Sequence, residues 1–130
     1  MYWTSCYASI LGFLFFYLSL SVIRERKFNK ISLGSGKNQF LKQKIRAHAN
    51  FAEYTPIALI LIFLSEMNGA DPVLIHGAGI CLLLGRILHA YSFSKDEIHG
   101  RTRVAGMKLT FISIFIGSIA NLVILFLGPI

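Results

Sequence analysis

The sequence predicts an all-α integral membrane protein, a single four-helix domain over residues 1–130. The chain is 55% hydrophobic and only 15% charged, whereas soluble domains carry about 25% charged residues. All thirteen Lys and Arg fall in two windows, Arg24 to Arg46 and Arg86 to Lys108. The rest of the chain forms apolar stretches near the ~20 residues that a helix needs to cross a bilayer. Together these features exclude an ordinary soluble domain.

Apolar length and helical spacing predict the first two helices. The first span runs from about Tyr2 to Ile23, and it is too long, with no positive charge before it, for a cleaved signal peptide. Gly34-Ser-Gly36 then breaks the chain, and apolar residues recur at helical spacing from near Asn38. The second helix is predicted to contain about 30 residues and to extend beyond the membrane at its start.

A turn and a second basic segment define the remaining helices. The segment Asn68 to Pro72 predicts a tight turn, with an aspartate as helix cap and a proline at the first helical position. The third helix is expected to end near Phe93, a polar loop to occupy Ser94 to Arg101, and the fourth helix to continue to Leu127. Because the short turn and both termini lack Lys and Arg, the positive-inside rule places both termini outside and both basic loops in the cytosol. In a bacterium this would be the inner, or plasma, membrane.

Composition also limits the partners. The net charge of +7 is explained by membrane topology, so no nucleic acid partner is predicted. Cys6 and Cys81 lie in apolar spans without metal-ligand spacing. We therefore expect two buried, inert thiols and no metal site.

Polar and ionisable residues at membrane depth are costly, so they mark a candidate site. The second and third helices each present such residues on one face, and these faces are expected to meet near the cytosolic interface. A structural pair between Glu53 and Arg46 or Arg86 would need only two groups. The set here has six members with excess positive charge, which indicates an anionic ligand: Arg46, Asn50, Glu53, Tyr54, Arg86 and His89.

One segment of the second helix carries a family resemblance. Arg46-Ala-His-Ala-Asn50-Phe-Ala-Glu53-Tyr54-Thr-Pro56 resembles the hallmark of the MAPEG family, the membrane-associated proteins in eicosanoid and glutathione metabolism. Gly85-Arg-Ile-Leu-His89 and Arg101-Thr-Arg103 resemble its third-helix and fourth-helix motifs. The resemblance covers essentially the whole chain, which is similar to small bacterial members, microsomal glutathione transferase and leukotriene C4 synthase. It implies a homotrimer that binds glutathione between subunits and receives a lipophilic electrophile from the membrane lipid.

The resemblance also implies a role for each residue. The six residues above would bind glutathione on one subunit, while His48 and Arg26 would reach the ligand of the neighbouring subunit. Arg24 and Lys27 are alternatives to Arg26. Arg103 resembles the arginine that activates the thiol, with Arg101 as the alternative.

One position departs from the family pattern. Several eicosanoid enzymes carry a tyrosine seven residues after the third-helix arginine, where this chain has Phe93. Tyr91 is two residues away and cannot face the same way on a regular helix. The departure leaves the substrate class open.

The chemistry of glutathione suits these side chains. Glu53 matches its ammonium, Arg46 and Arg26 match its carboxylates, and a nearby arginine lowers the thiol pKa from about 8.5. The sequence therefore predicts a membrane-bound glutathione transferase, a glutathione-dependent peroxidase, or both. The alternatives are a non-catalytic lipid-binding or lipid-presenting protein of the same fold, and a small proton-coupled exporter that uses Glu53.

Overall fold

Four long helices make up the part of the chain that the computed structural model describes, residues 3–93 and 100–129. They are α1 (Trp3–Asn29), α2 (Gln39–Met67), α3 (Pro72–Tyr91) and α4 (Gly100–Leu127). Each is long and apolar enough to cross a membrane. The predicted four-helix membrane fold is confirmed.

Helix boundaries differ from the predicted ones where charged residues continue a helix. Helix α1 extends past Ile23 to Asn29, because hydropathy marks the membrane core rather than the end of the helix. Helix α3 ends at Tyr91, and α4 already includes Arg101. The loop predicted for Ser94 to Arg101 therefore ends earlier than expected. Tyr2 and most of that loop, residues 94–99, lie outside the described residues.

The caps follow the sequence closely. The side chain of Asn38 accepts a hydrogen bond from the backbone of Leu41 at 2.7 Å, and α2 begins after it. Asp71 accepts from the backbone of Val73 at 2.7 Å, which confirms it as the α3 cap. These side chains satisfy backbone donors that a helix start leaves unpaired.

The two ends of the bundle differ in composition. At one end the Glu66 carboxylate accepts hydrogen bonds from the backbone N–H groups of Trp3 and Thr4, and a Cβ added at Gly69 would lie 3.2 Å from Pro129. Both ends of the described chain therefore lie beside the short turn, and we call this the turn end. The opposite end, where α1 and α3 finish and α2 and α4 begin, is the basic end.

Two glycines allow α3 and α4 to pack in direct backbone contact. A Cβ at Gly85 would lie 2.8 Å from the Gly106 carbonyl oxygen, and one at Gly106 would lie 2.7 Å from the Gly85 carbonyl oxygen. Such small residues are common where membrane helices approach closely. The approach places Thr110 of α4 over α3, where it becomes part of the site described below.

The apolar core fills the centre of the bundle, while the thiols lie nearer its surface. Leu11, Phe51, Ile62 and Leu82 are among the buried core residues. Cys6 is exposed and Cys81 is half-buried, so the prediction that both thiols are buried is wrong. Cys6 lies on the outer face of a peripheral helix, a distinction that apolar spacing alone does not make.

Candidate functional site

A cavity of about 380 Å³ opens between α2, α3 and α4 at the basic end. We call it the site cavity. Four residues predicted from the sequence line it, together with five others. The full lining is Arg46, Asn50, His89, Phe93, Arg103, Val104, Met107, Lys108 and Phe111.

The rim of the site cavity carries an exposed ion pair. Arg46 donates to the Glu53 carboxylate at 3.1 Å and 3.4 Å through its two terminal nitrogens. The two side chains are 62% and 46% exposed. Exposed pairs contribute only about 0–1 kcal/mol to stability, so either partner is free to exchange for a charged ligand group.

An aromatic contact borders the same cavity on the α2–α4 side. Tyr54 packs edge-on against the ring of Phe111, with centroids 5.6 Å apart. Tyr54 is half-buried and directly follows Glu53 in α2. The contact gives the cavity an apolar side next to its charged rim.

A buried arginine forms the base. Arg86 is 1% exposed, and its Nη2 donates to Asn50 Oδ1 at 2.9 Å and to His89 Nδ1 at 3.3 Å. Its Nη1 lies 3.5 Å from the hydroxyl of Thr110. Arg86 was predicted as a ligand contact, but the structure places it behind Asn50 and His89 rather than among the lining residues.

This base network orients two lining residues. Because the Asn50 carbonyl oxygen accepts from Arg86, the amide NH₂ of Asn50 is left to donate elsewhere. Because His89 Nδ1 also accepts from Arg86, the imidazole is neutral and carries its proton on Nε2. Both side chains are therefore held as hydrogen-bond donors to a ligand.

The residues predicted to serve a neighbouring subunit lie on the other side of α2. His48 Nε2 lies 3.0 Å from the hydroxyl of Ser19, and its ring stacks on Phe15 at 4.7 Å. Arg26 donates to the backbone oxygens of Ser32 at 3.3 Å and Gly34 at 2.8 Å. A single chain does not bring His48 or Arg26 into the site cavity.

The sequence left alternatives open for two of the implied arginine roles, and the structure separates some of them. Arg103 lines the site cavity, whereas Arg101 lines a neighbouring groove that shares Val104 and Lys108 with it. Lys27 shares a groove with Arg26, and Arg24 lies in a different cavity beside Lys44. These positions favour Arg103 over Arg101 and place Arg24 apart from Arg26, whereas Arg26 and Lys27 lie in the same groove.

Phe93 and Tyr91 occupy different positions relative to the site cavity. Phe93 lines the site cavity and is 6% exposed, with its ring centroid 5.2 Å from that of His89. Tyr91 is half exposed and is absent from the cavity lining. Phe93 therefore supplies an apolar wall where a tyrosine would have supplied a hydroxyl.

Sequence reasoning missed the α4 wall of the cavity. Val104, Met107, Lys108 and Phe111 follow Arg103 at helical spacing, so the 3.6-residue period could have found them once Arg103 was chosen. Thr110 gave no such signal, because its role depends on the close approach of α3 and α4. Among residues 3–93 and 100–129, no three His, Cys, Asp or Glu side chains are grouped to hold a metal ion.

Comparison with known proteins places the chain in a family. The model of the MAPEG family matches residues 4–123. The chain is 36% identical over 119 residues to the inner membrane protein YecN of Escherichia coli K12, covering 92% of this chain and 89% of that protein. The same identity and coverage hold for YecN of the O6:H1 strain CFT073. The chain therefore belongs to the MAPEG family.

Proposed function

We propose that this protein is a glutathione-dependent membrane enzyme that attacks a lipophilic substrate with an arginine-stabilised thiolate. One observation carries the proposal. Arg46, Asn50, His89 and Arg103, from three different helices, line a single cavity at the basic end. Their charges and donors complement a small anionic thiol peptide.

The rim would bind the charged groups of glutathione. The glutathione ammonium would pair with the Glu53 carboxylate. A glutathione carboxylate would form a bidentate pair with the Arg46 guanidinium. Since these side chains already form an exposed pair at 3.1 Å, binding exchanges one ion pair for two. The exchange costs little, because an exposed pair is worth about 0–1 kcal/mol.

The inner part of the cavity would handle the thiol. Arg103 makes no ion pair with any described residue, so its charge is available to a thiolate. A nearby cation lowers a thiol pKa from about 8.5 and raises the thiolate fraction at neutral pH. His89, neutral and donating through Nε2, would orient the bound peptide. The apolar α4 wall would receive the lipophilic substrate from the bilayer.

Two reactions fit this arrangement. In conjugation, the thiolate forms a carbon–sulfur bond with the electrophile, and the leaving group departs with the bonding electron pair. In peroxide reduction, two glutathione thiols become one disulfide while a lipid hydroperoxide becomes an alcohol and water. Both reactions begin with the same thiolate.

The most direct test is activity of the detergent-purified protein with glutathione and chlorodinitrobenzene, and with a lipid hydroperoxide. We expect turnover with at least one substrate, and loss of turnover in Arg103→Leu. Saturable glutathione binding without turnover would favour the non-catalytic lipid-binding alternative. Absence of glutathione binding would overturn the proposal.

The proposed site is completed by a second subunit. His48 and Arg26 face away from the site cavity within one chain, so they contact its ligand only across an interface. We therefore propose a homotrimer. Cross-linking in native membranes should give a trimer, and a monomer in both membranes and mild detergent would contradict it.

We further propose that the basic end faces the cytosol of an inner membrane. All Lys and Arg lie in the two windows nearest that end, and positive charge is retained on the cytosolic side. A reporter at the C-terminus should read as extracytoplasmic and one inserted at Gly36 as cytosolic. The reverse pattern would move the site to the other side of the membrane.

A further inference from the structure

A second cavity, of about 130 Å³, lies at the basic end between α1, α2 and α3. We call it the α1 cavity. Its polar lining comes mostly from α1, and its apolar lining from all three helices. The lining residues are Tyr17, Leu18, Ser21, Arg24, Lys44, Ala47, Ala90 and Phe93.

The α1 cavity faces away from the surface predicted for the neighbouring subunit. Tyr17, Ser21 and Arg24 recur at spacings of four and three, which places them along one side of α1. Ser19, which contacts His48, is two residues from Tyr17 and lies on nearly the opposite side. With Arg26 as the arginine from the neighbouring subunit, the proposed glutathione site does not use this cavity's cations.

The α1 cavity contains two cationic side chains, and only one of them has an anionic partner. Lys44 is paired with Glu25 at 3.1 Å, and the other oxygen of Glu25 accepts from Asn29 at 2.8 Å. Arg24 is exposed and has no hydrogen-bond or ion-pair partner among the described residues. The cavity thus presents a net charge of about +1, carried by a guanidinium whose fork suits a phosphate oxygen pair.

The position of the cavity selects the kind of anion. Leu18, Ala47, Ala90 and Phe93 give it an apolar floor. Toward the turn end, α1 exposes Phe13 and Phe16 along its membrane-spanning length. An anionic headgroup at the cavity would therefore have its acyl chains beside an apolar helix surface. Basic pockets between membrane helices near the interface are suited to anionic lipid headgroups.

We infer that the α1 cavity binds the phosphodiester headgroup of an anionic phospholipid. The Arg24 guanidinium pairs with the phosphodiester, which carries a single negative charge that matches the single free cation. The hydroxyls of Ser21 and Tyr17 donate to the remaining headgroup oxygens. Lys44 stays with Glu25 and fixes the α1–α2 wall.

Phe93 links this cavity to the site cavity, because its ring lines both. The lipid would bind against one side of Phe93, while His89 contacts the ring at 5.2 Å. Lipid binding itself needs no glutathione. Its test is therefore independent of the proposed enzyme activity, and either proposal could fail while the other stands.

The experiment is native mass spectrometry of the detergent-purified full chain, titrated with phosphatidylglycerol or phosphatidylcholine of the same acyl chains. We expect phosphatidylglycerol to bind more tightly. Arg24→Gln should weaken that binding about tenfold or more, since it removes a charged hydrogen bond. Arg24→Lys, which keeps the charge but loses the fork, should weaken it less.

Lys42→Gln is the matched control. Lys42 is an exposed cation on α2 that does not line the cavity, and its removal should leave lipid binding within about twofold, as expected for an uninvolved surface charge. Equal loss in Lys42→Gln and Arg24→Gln would mean diffuse attraction and would overturn the site.

Two further outcomes would also overturn it. One is equal binding of the two lipids to the wild-type protein, a comparison that does not depend on the folding of any variant. The other is displacement of phosphatidylglycerol by inorganic phosphate at comparable concentration, which would identify a free-anion site instead of a lipid site.

Discussion

The rim and the base of the site cavity both contain an arginine, but the two differ in burial and in the charge of their partners. Arg46 at the rim is 62% exposed and pairs with a carboxylate. Arg86 at the base is 1% exposed and contacts only neutral groups, chiefly Asn50 and His89. It also lies over the ring of Phe51, at 5.4 Å from the centroid.

The difference separates two tasks. A ligand can displace the exposed pair at the rim at small cost, so the rim is suited to binding. The base is enclosed by α2, α3 and α4, and the two terminal nitrogens of Arg86 contact Asn50, His89 and Thr110 before any ligand arrives. Its buried Nε has no hydrogen-bond partner among the described residues. It is therefore suited to holding Asn50 and His89 in a fixed orientation, as a preorganised site requires.

The largest expected effect concerns the rim. Glu53→Gln removes the partner of the glutathione ammonium, a charged hydrogen bond worth about 1.5–3 kcal/mol. Glutathione affinity should fall about 10-fold to 150-fold, as measured by calorimetry on the purified protein. Glu66→Gln, an acidic residue at the turn end of the same helix, should leave affinity unchanged. Equal effects of the two variants would remove Glu53 from the site.

The next prediction tests whether the base acts by positioning. Arg86→Leu should weaken glutathione binding by about 1–2 kcal/mol, because Asn50 loses the partner that orients its amide. In an Asn50→Ala background, the same Arg86→Leu substitution should cost little more. Strictly additive losses in this double-mutant cycle would show that Arg86 acts on the ligand independently of Asn50.

The smallest expected effect is on stability without ligand. Arg46→Gln breaks the exposed pair with Glu53 and should change the free energy of unfolding by less than about 1 kcal/mol. Unfolding of the ligand-free protein in mixed detergent micelles measures this directly. A loss above about 2 kcal/mol would mean that the rim pair, which lies within α2, is a major contributor to the fold, contrary to its assigned role.

The contrast between Arg46 and Arg86 also marks where sequence reasoning stopped. Helical spacing correctly placed Arg46 and Asn50 on one face of α2, because that periodicity is a local property. It could not show that Arg86 is covered. That outcome depends on Gly85 and Gly106, whose lack of side chains lets α4 approach α3 and place Thr110 beside the guanidinium.

The helix ends show the same division between local and tertiary information. The start of α2 near Asn38 and the Asp71 cap were predicted correctly, because a helix start and its capping hydrogen bond are local features. The extension of α1 to Asn29 was not, since it is stabilised by contacts with the next helix. Glu25 pairs with Lys44 of α2, and Asn29 accepts from Asn38 at 2.7 Å.

The central claim, that Arg103 stabilises a glutathione thiolate, predicts a specific pH dependence. A nearby cation favours the thiolate, so Arg103→Leu should raise the pKa of the bound thiol toward the free value of about 8.5. Each unit of this rise corresponds to about 1.4 kcal/mol. The thiolate fraction and turnover should therefore fall at pH 7, and the deficit should shrink as pH is raised.

The most direct measurement is the ultraviolet thiolate absorbance of the glutathione complex across pH, for wild type, Arg103→Leu and Arg101→Leu. Arg101 is the matched control, because it lies two residues away on α4 and lines the neighbouring groove but not the site cavity. We predict that only Arg103→Leu moves the titration to higher pH. A shift in Arg101→Leu alone would exchange the two roles, and no shift in either variant would contradict thiolate stabilisation by α4.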